Sequence, residues 1–220
     1  MTNGQLPAEQ DGEAKLQDGE AKLAPGLPRW LRFVADWIAT TAAAIAIVLV
    51  VNAFVVSHYR IPSSSMEPTL HCAAGSEGCQ ARVPDRVLVN RFIYHFASPK
   101  RGDIIVFNMP SGTAAHCGSD GMFVKRLIGL PSEIVEVRMI RGVGYVFIDG
   151  KKLAEPYVES SNRRLSSEFG PFSVPSNQYF VMGDNREDSC DSRAFGTVPR
   201  SNLIGRVFFT YWPPNRLAFH

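Results

Sequence analysis

The sequence predicts a mainly β protein: a single N-terminal transmembrane helix, then an antiparallel β-sheet domain with a smaller β insertion. Three observations predict it. Residues 37–57 run for 21 positions without a formal charge. Beyond them, short runs rich in Val, Ile, Phe and Tyr alternate with turn residues. No amphipathic pattern of about 12 residues competes with those runs, so helices there should be few and short.

Residues 1–36 form the first segment. They contain a tandem repeat, Gln10 to Leu16 followed by Gln17 to Leu23, with one Leu and one Gly in each copy. Two copies are too few for a coiled coil, and so polar a segment reads as a disordered tail. The uncharged span at 37–57 would be roughly 31 Å long as a helix, enough to cross a bilayer. A cleaved signal peptide is the competing reading. Its apolar region is usually about 7–15 residues long behind a short basic leader, whereas here a mixed-charge leader of 36 residues precedes the span. Lys15, Lys22, Arg29 and Arg32 precede the span and only Arg60 closely follows it, so the N-terminus is expected in the cytoplasm and residues 58–220 outside.

The outer segment carries predicted strands at Arg86 to Asn90, Asp103 to Asn108, Met122 to Ile128, Ile134 to Arg138, Val143 to Ile148, Gln178 to Met182 and Leu203 to Tyr211. Asp149-Gly150 is a hairpin signal between two of the runs. Residues 134–177 read as an inserted, non-catalytic β subregion, with Glu155 to Pro171 as a long exposed loop. The segment holds 19 Lys and Arg against 15 Asp and Glu, too small an excess to argue for nucleic acid. Cys72, Cys79, Cys117 and Cys190 all fall on the outer side, where disulfides persist. Cys72 and Cys79 flank a short Gly-containing stretch that could close as a staple, but four cysteines allow three connectivities and the sequence does not choose. No ligand set spaced for a metal occurs.

Three segments could carry chemistry. Ile61-Pro62-Ser63-Ser64-Ser65-Met66-Glu67-Pro68-Thr69 lies just beyond the span. Its prolines favour extended neighbours, so the serines are expected to be displayed rather than wound into a helix. A serine nucleophile needs a base. His58, His71, His95, His116 and His220 are scattered outside any dense motif. Lys125 differs, because strand alternation puts it on one face with Phe123 and Leu127. Burial would disfavour its ammonium form and make it a base, although an exposed strand lysine is the plainer reading of that segment alone. The third segment, Gly183 to Arg193, is dense in polar and charged residues; alone it could be a solvated loop.

Together, Ile-Pro-Ser-Ser-Ser-Met-Glu-Pro-Thr at 61–69, Arg-Gly-Asp-Ile-Ile-Val-Phe at 101–107, Lys-Arg-Leu-Ile-Gly-Leu-Pro at 125–131 and Gly-Asp-Asn-Arg-x-x-Ser-x-Asp-Ser-Arg at 183–193 resemble the bacterial type I signal peptidases. They occur in the family's order behind an anchor. The resemblance implies Ser65 as nucleophile and Lys125 as general base. It implies an oxyanion hole from the Ser65 backbone N–H and the Ser63 hydroxyl, and Ser189 as the group that orients the Lys125 amine. It makes Asp184, Arg186, Asp191, Arg193 and Arg126 a supporting ion-pair network, and Arg101 to Asp103 the opening of a strand beside the substrate groove. It further implies cleavage of secreted preproteins with small residues before the cut, no metal or cofactor, and a place in the bacterial inner membrane near the secretion translocon, where the sequence itself shows one span.

Ser64 stands where many relatives have Gly, Ser132-Glu133 replaces Gly-Asp, Asp188 replaces a frequent Asn, and many relatives have two spans. Three rival readings remain: a pilin-processing relative with the same chemistry, a self-cleaving repressor, which the anchor argues against, and a silent binding module, which would lack the Ser or the Lys.

Overall fold

In the computed structural model, residues 28–75, 77–113, 117–118, 121–165 and 167–220 are described. The tandem repeat and His116 lie outside them. The described chain falls into two compact units, divided between residues 46 and 47.

One long helix, α1 (Arg29–Phe54), includes a stretch at Arg29–Val50 that is long and apolar enough to cross a membrane. Its large apolar side chains Trp30, Phe33, Trp37 and Ile38 are all exposed. The helix starts earlier and ends earlier than the uncharged run. Val56 and Ser57, read from hydropathy as the end of the span, instead open strand β1 (Val56–Arg60) and pair with Asn90 and Val89. Hydropathy cannot separate these residues, since Val is at home both in lipid and in a strand.

The larger unit is built on two antiparallel sheets. The strands are β2 (Arg86–Asn90), β3 (Ile104–Asn108), β4 (Met122–Gly129), β5 (Ile134–Ile140), β6 (Val143–Ile148), β7 (Lys151–Lys152), β8 (Phe169–Ser173), β9 (Gln178–Met182), β10 (Val198–Pro199), β11 (Leu203–Trp212) and β12 (Ala218–Phe219). The larger sheet has the order β1-β2-β11-β3-β4-β9-β10, with β12 on β11; the smaller has the order β7-β6-β5-β8. The smaller sheet is inserted in the chain between β4 and β9, which are neighbours in the larger one, with Arg126 opposite Met182 and Leu127 opposite Val181. Asp149 and Gly150 both have positive φ, as the two-residue turn between β6 and β7 requires.

Both faces of the larger sheet are covered, which is why its central strands are continuously apolar rather than alternating. On β3, Ile104 and Val106 enter one core cluster while Ile105 and Phe107 enter another. On β9, Tyr179 and Val181 join the Phe107 cluster, and Phe180 and Met182 join a third, shared with Val135, Val137 and Val146 of the smaller sheet. At about 1.5–3 kcal/mol for each large apolar side chain buried, this third cluster binds the two sheets together.

The stretch from Glu155 to Pro171, expected as an exposed loop, is not uniformly so. Glu155 and Val158 are buried, and Phe169 to Ser173 pairs with β5. The reason is a tertiary ion pair and a cross-sheet aromatic cluster of Phe169, Phe172 and Phe180, neither of which leaves a local periodic trace. Among the described residues, the disulfides are Cys72–Cys79 and Cys117–Cys190.

Candidate active site

The serine segment is held to the core at both ends. Ile61, Met66 and Leu70 are buried in the cluster beneath β2, β3 and β11, and the Ile61 N–H donates to the Asp85 carbonyl at 3.0 Å. Between these anchors, Ser63 is extended and Ser64–Met66 form one 3-10 turn. The expectation of displayed serines outside any helix is therefore corrected at two positions: Ser64 and Ser65 are buried, at 5% and 7% exposure. Pulling Ile61 and Met66 into the core tightens the six residues from Ile61 to Met66 into a turn, which the prolines alone do not foretell.

Strand β4 brings Lys125 to this turn. Ile105 of β3 is its cross-strand neighbour, and its face is shared with Phe123 and Leu127, which pack into the Phe107 cluster. Lys125 is 3% exposed, and its Nζ lies 2.5 Å from Ser65 Oγ. Burial is the largest influence on this amine and lowers its pKa from 10.5 to about 8; Arg193 lowers it too, against the opposing fields of Asp191, Asp188 and Asp184. As an ammonium, Nζ donates to Oγ. Once neutral, its lone pair can accept the hydroxyl proton across the same contact.

The Ser63 hydroxyl lies 3.4 Å from Ser65 Oγ. The Ser189 hydroxyl is not brought to Lys125 by a hydrogen bond: its Oγ is buried, has no hydrogen-bond partner among the described residues and lies against Gly183. A Cβ on Gly183 would collide with both Ser189 Oγ and the Ser65 carbonyl oxygen. Gly183 thus allows two chain segments to meet where any side chain would part them.

Four charged residues of the third motif, Asp184, Arg186, Asp191 and Arg193, enter three ion-paired groups. Arg126 Nε and Nη2 donate to the two oxygens of Asp184 at 2.8 and 2.5 Å, the Thr69 hydroxyl donates to Asp184 Oδ2 at 2.6 Å, and Arg126 Nη1 donates to the Gly102 carbonyl at 2.9 Å. Asp191 accepts from the Gly183 N–H at 3.1 Å and from Arg193 Nε and Nη2, both at 2.8 Å. Burial alone would raise the Asp191 carboxyl, but Arg193, Lys125 and the Gly183 amide hold it below the usual carboxylate range. Arg186, fully buried, pairs with Glu155, which Arg163 also contacts at 2.9 Å. Glu155, Arg163 and Thr69 are not singled out by sequence reasoning. Glu155 lies 31 residues from Arg186 in a stretch with no periodic signal.

The loop from Gly183 is stitched to the serine turn. The Asn185 N–H donates to the Ser65 carbonyl at 3.1 Å, and the Ser64 hydroxyl donates to Asp188 Oδ2. Arg101 and Asp103 have structural partners: Arg101 donates to Glu133 Oε1 at 2.5 Å, and Asp103 accepts from the Lys100 N–H at 2.9 Å. A cavity of about 330 Å³ opens over the turn, lined by Ser63, Ser65 and Lys125 and walled by Met122, Phe123 and the Cys117–Cys190 pair. A buried lysine against a serine hydroxyl at the floor of such a cavity has the parts needed for acyl transfer.

The protein family described as "Signal peptidase, peptidase S26" matches residues 34–212. A signal peptidase I from Leptolyngbya laminosa is 39% identical over 184 residues, covering 83% of this chain and 82% of that protein. Signal peptidase I S of Bacillus subtilis is 33% identical over 193 residues, covering 84% and 92%. A signal peptidase I of Mycobacterium tuberculosis is 36% identical over 219 aligned residues, covering 79% and 71%.

Proposed function

The chain belongs to the signal peptidase family, peptidase S26, and from that premise we propose that it is a membrane-bound serine endopeptidase that releases signal peptides from secreted preproteins, with Ser65 as nucleophile and Lys125 as base. The observation that carries the assignment of roles is the 2.5 Å approach of Lys125 Nζ to Ser65 Oγ in a buried setting.

In this reading, neutral Lys125 takes the Ser65 proton as Oγ attacks the carbonyl before the cut. The tetrahedral oxyanion is received by the Ser65 backbone N–H and the Ser63 hydroxyl, in an environment where donors aimed at developing charge act strongly. Lys125 then returns its proton to the leaving amine, and water, deprotonated by the neutral Lys125 amine, resolves the acyl-enzyme. Asp184, Arg126, Asp191, Arg193 and Arg186 hold the serine turn, β4 and the Gly183 loop in register. Ser189 orients the amine during turnover, its hydroxyl having no competing hydrogen bond among the described residues. The preprotein lies extended beside the larger sheet, its backbone supplying affinity and small side chains before the cut entering the cavity. The helix α1 anchors the chain in the inner membrane with the N-terminus cytoplasmic. The sheets then work at the outer face, where preproteins emerge from the translocon.

The test is cleavage of a preprotein by the full chain reconstituted in lipid vesicles. Ser65→Ala and Lys125→Met should each lose about 10⁴-fold or more in rate. Undiminished cleavage by either variant would overturn that residue's assignment.

A further inference from the structure

The Cys117–Cys190 disulfide sits where two surfaces meet. On one side both cysteines pack against the core cluster that contains Phe107 and Phe195. On the other, both line the cavity of about 330 Å³ that holds Ser65 and Lys125. Cys190 follows Ser189 directly in the chain, and the bridge joins it to Cys117, which precedes the strand bearing Lys125. A wall that is covalently closed and backed by packed aromatic rings cannot yield to a larger side chain as a flexible methionine could.

We propose that this disulfide is a specificity-determining wall of the substrate cavity, limiting the size of the side chain admitted beside Ser65. The inference rests on the signal-peptidase reading and deepens it. It assigns part of the size limit to a cross-link rather than to the side chains of the strand alone. A bridge that merely supported the Ser189 loop would change turnover of all substrates alike. A wall changes their ratio, because removing it admits methylenes that it had excluded.

The experiment measures kcat/KM for two preproteins that differ only in Ala or Val immediately before the cut, using the full chain in vesicles. The Cys117→Ala/Cys190→Ala variant should raise the Val-to-Ala ratio about tenfold. Wild-type protein treated with dithiothreitol, which is oxidised to its cyclic disulfide as the bridge gains two electrons and two protons, should shift the same way. This second arm covers the case in which the variant does not fold. Dithiothreitol should add no further change to the variant. An unchanged ratio, with activity either kept or uniformly lowered, overturns the wall. An equal response of variant and wild type to the reductant would trace the effect to Cys72–Cys79 and also overturn it. Failure of the untreated wild type to cleave any preprotein would overturn the signal-peptidase reading, and the wall with it.

Discussion

Replacing Lys125 by Met should abolish cleavage yet stabilise the fold at neutral pH. The amine is 3% exposed, and burial is the main reason its pKa falls from 10.5 to about 8. That difference corresponds to about 3 kcal/mol by which the folded protein disfavours the charged amine relative to the unfolded chain. A depressed pKa gives stability that is present above the unfolded value and lost as pH falls through the folded one. The wild type therefore carries the full penalty at pH 7, sheds it between about pH 8 and 10.5, and is free of it above. Methionine is uncharged and of similar length, so the variant never carries the penalty. It does forfeit the contact with Ser65, a loss of about 1 kcal/mol, leaving a net gain of about 2 kcal/mol at pH 7. Denaturant unfolding of the detergent-solubilised full chain reads this directly. The difference between variant and wild type should move by about 3 kcal/mol in favour of the wild type between pH 7 and 10.5. Groups that titrate alike in both proteins cancel. A difference that stays constant across that range would mean that Lys125 is not desolvated in the folded protein.

Three further outcomes test the surroundings of the site. Gly183→Ala places a Cβ against the Ser65 carbonyl and the Ser189 hydroxyl; cleavage should fall about 100-fold, as expected when reacting groups are displaced by about an ångström, while circular dichroism stays that of the folded protein. Glu155→Ala leaves Arg186 buried without its carboxylate and should destabilise by about 3–5 kcal/mol, seen as a fall in Tm of roughly 10 °C or more. Ser64→Gly removes a hydroxyl that contacts Asp188 rather than Ser65, so kcat should change less than about tenfold, with a stability loss of about 1 kcal/mol.

Much of this architecture is legible in the sequence because the responsible forces are local. Lys125 stands out since alternation along Phe123, Lys125 and Leu127 forces a charged residue onto an apolar face, and Phe123 and Leu127 do pack into the Phe107 cluster. The strands at Arg86–Asn90, Val143–Ile148 and Gln178–Met182 carry their own β-branched and aromatic signal. What is not legible depends on distant partners. Val56 and Ser57 become strand because β2 is there to pair with them. Ser64 and Ser65 are buried because Ile61 and Met66 are drawn into a core assembled from β2, β3 and β11. Glu155 has no meaning until Arg186 arrives beside it. The disulfide pairing follows the same logic, since chain folding alone sets Cys117 beside Cys190.

In the proposed mechanism a buried Lys125, once neutral, activates Ser65. The most direct test is the pH dependence of kcat/KM for preprotein cleavage by the full chain in vesicles, which reports the free enzyme's essential base. With the amine at about 8, the rate should rise about tenfold between pH 7 and pH 9 and then level, and Ser65→Ala should be inactive throughout. A rate that keeps climbing to a limb near pH 10.5 would mean that Lys125 keeps an ordinary amine pKa, and cleavage that persists in Ser65→Ala would mean that Ser65 is not the nucleophile.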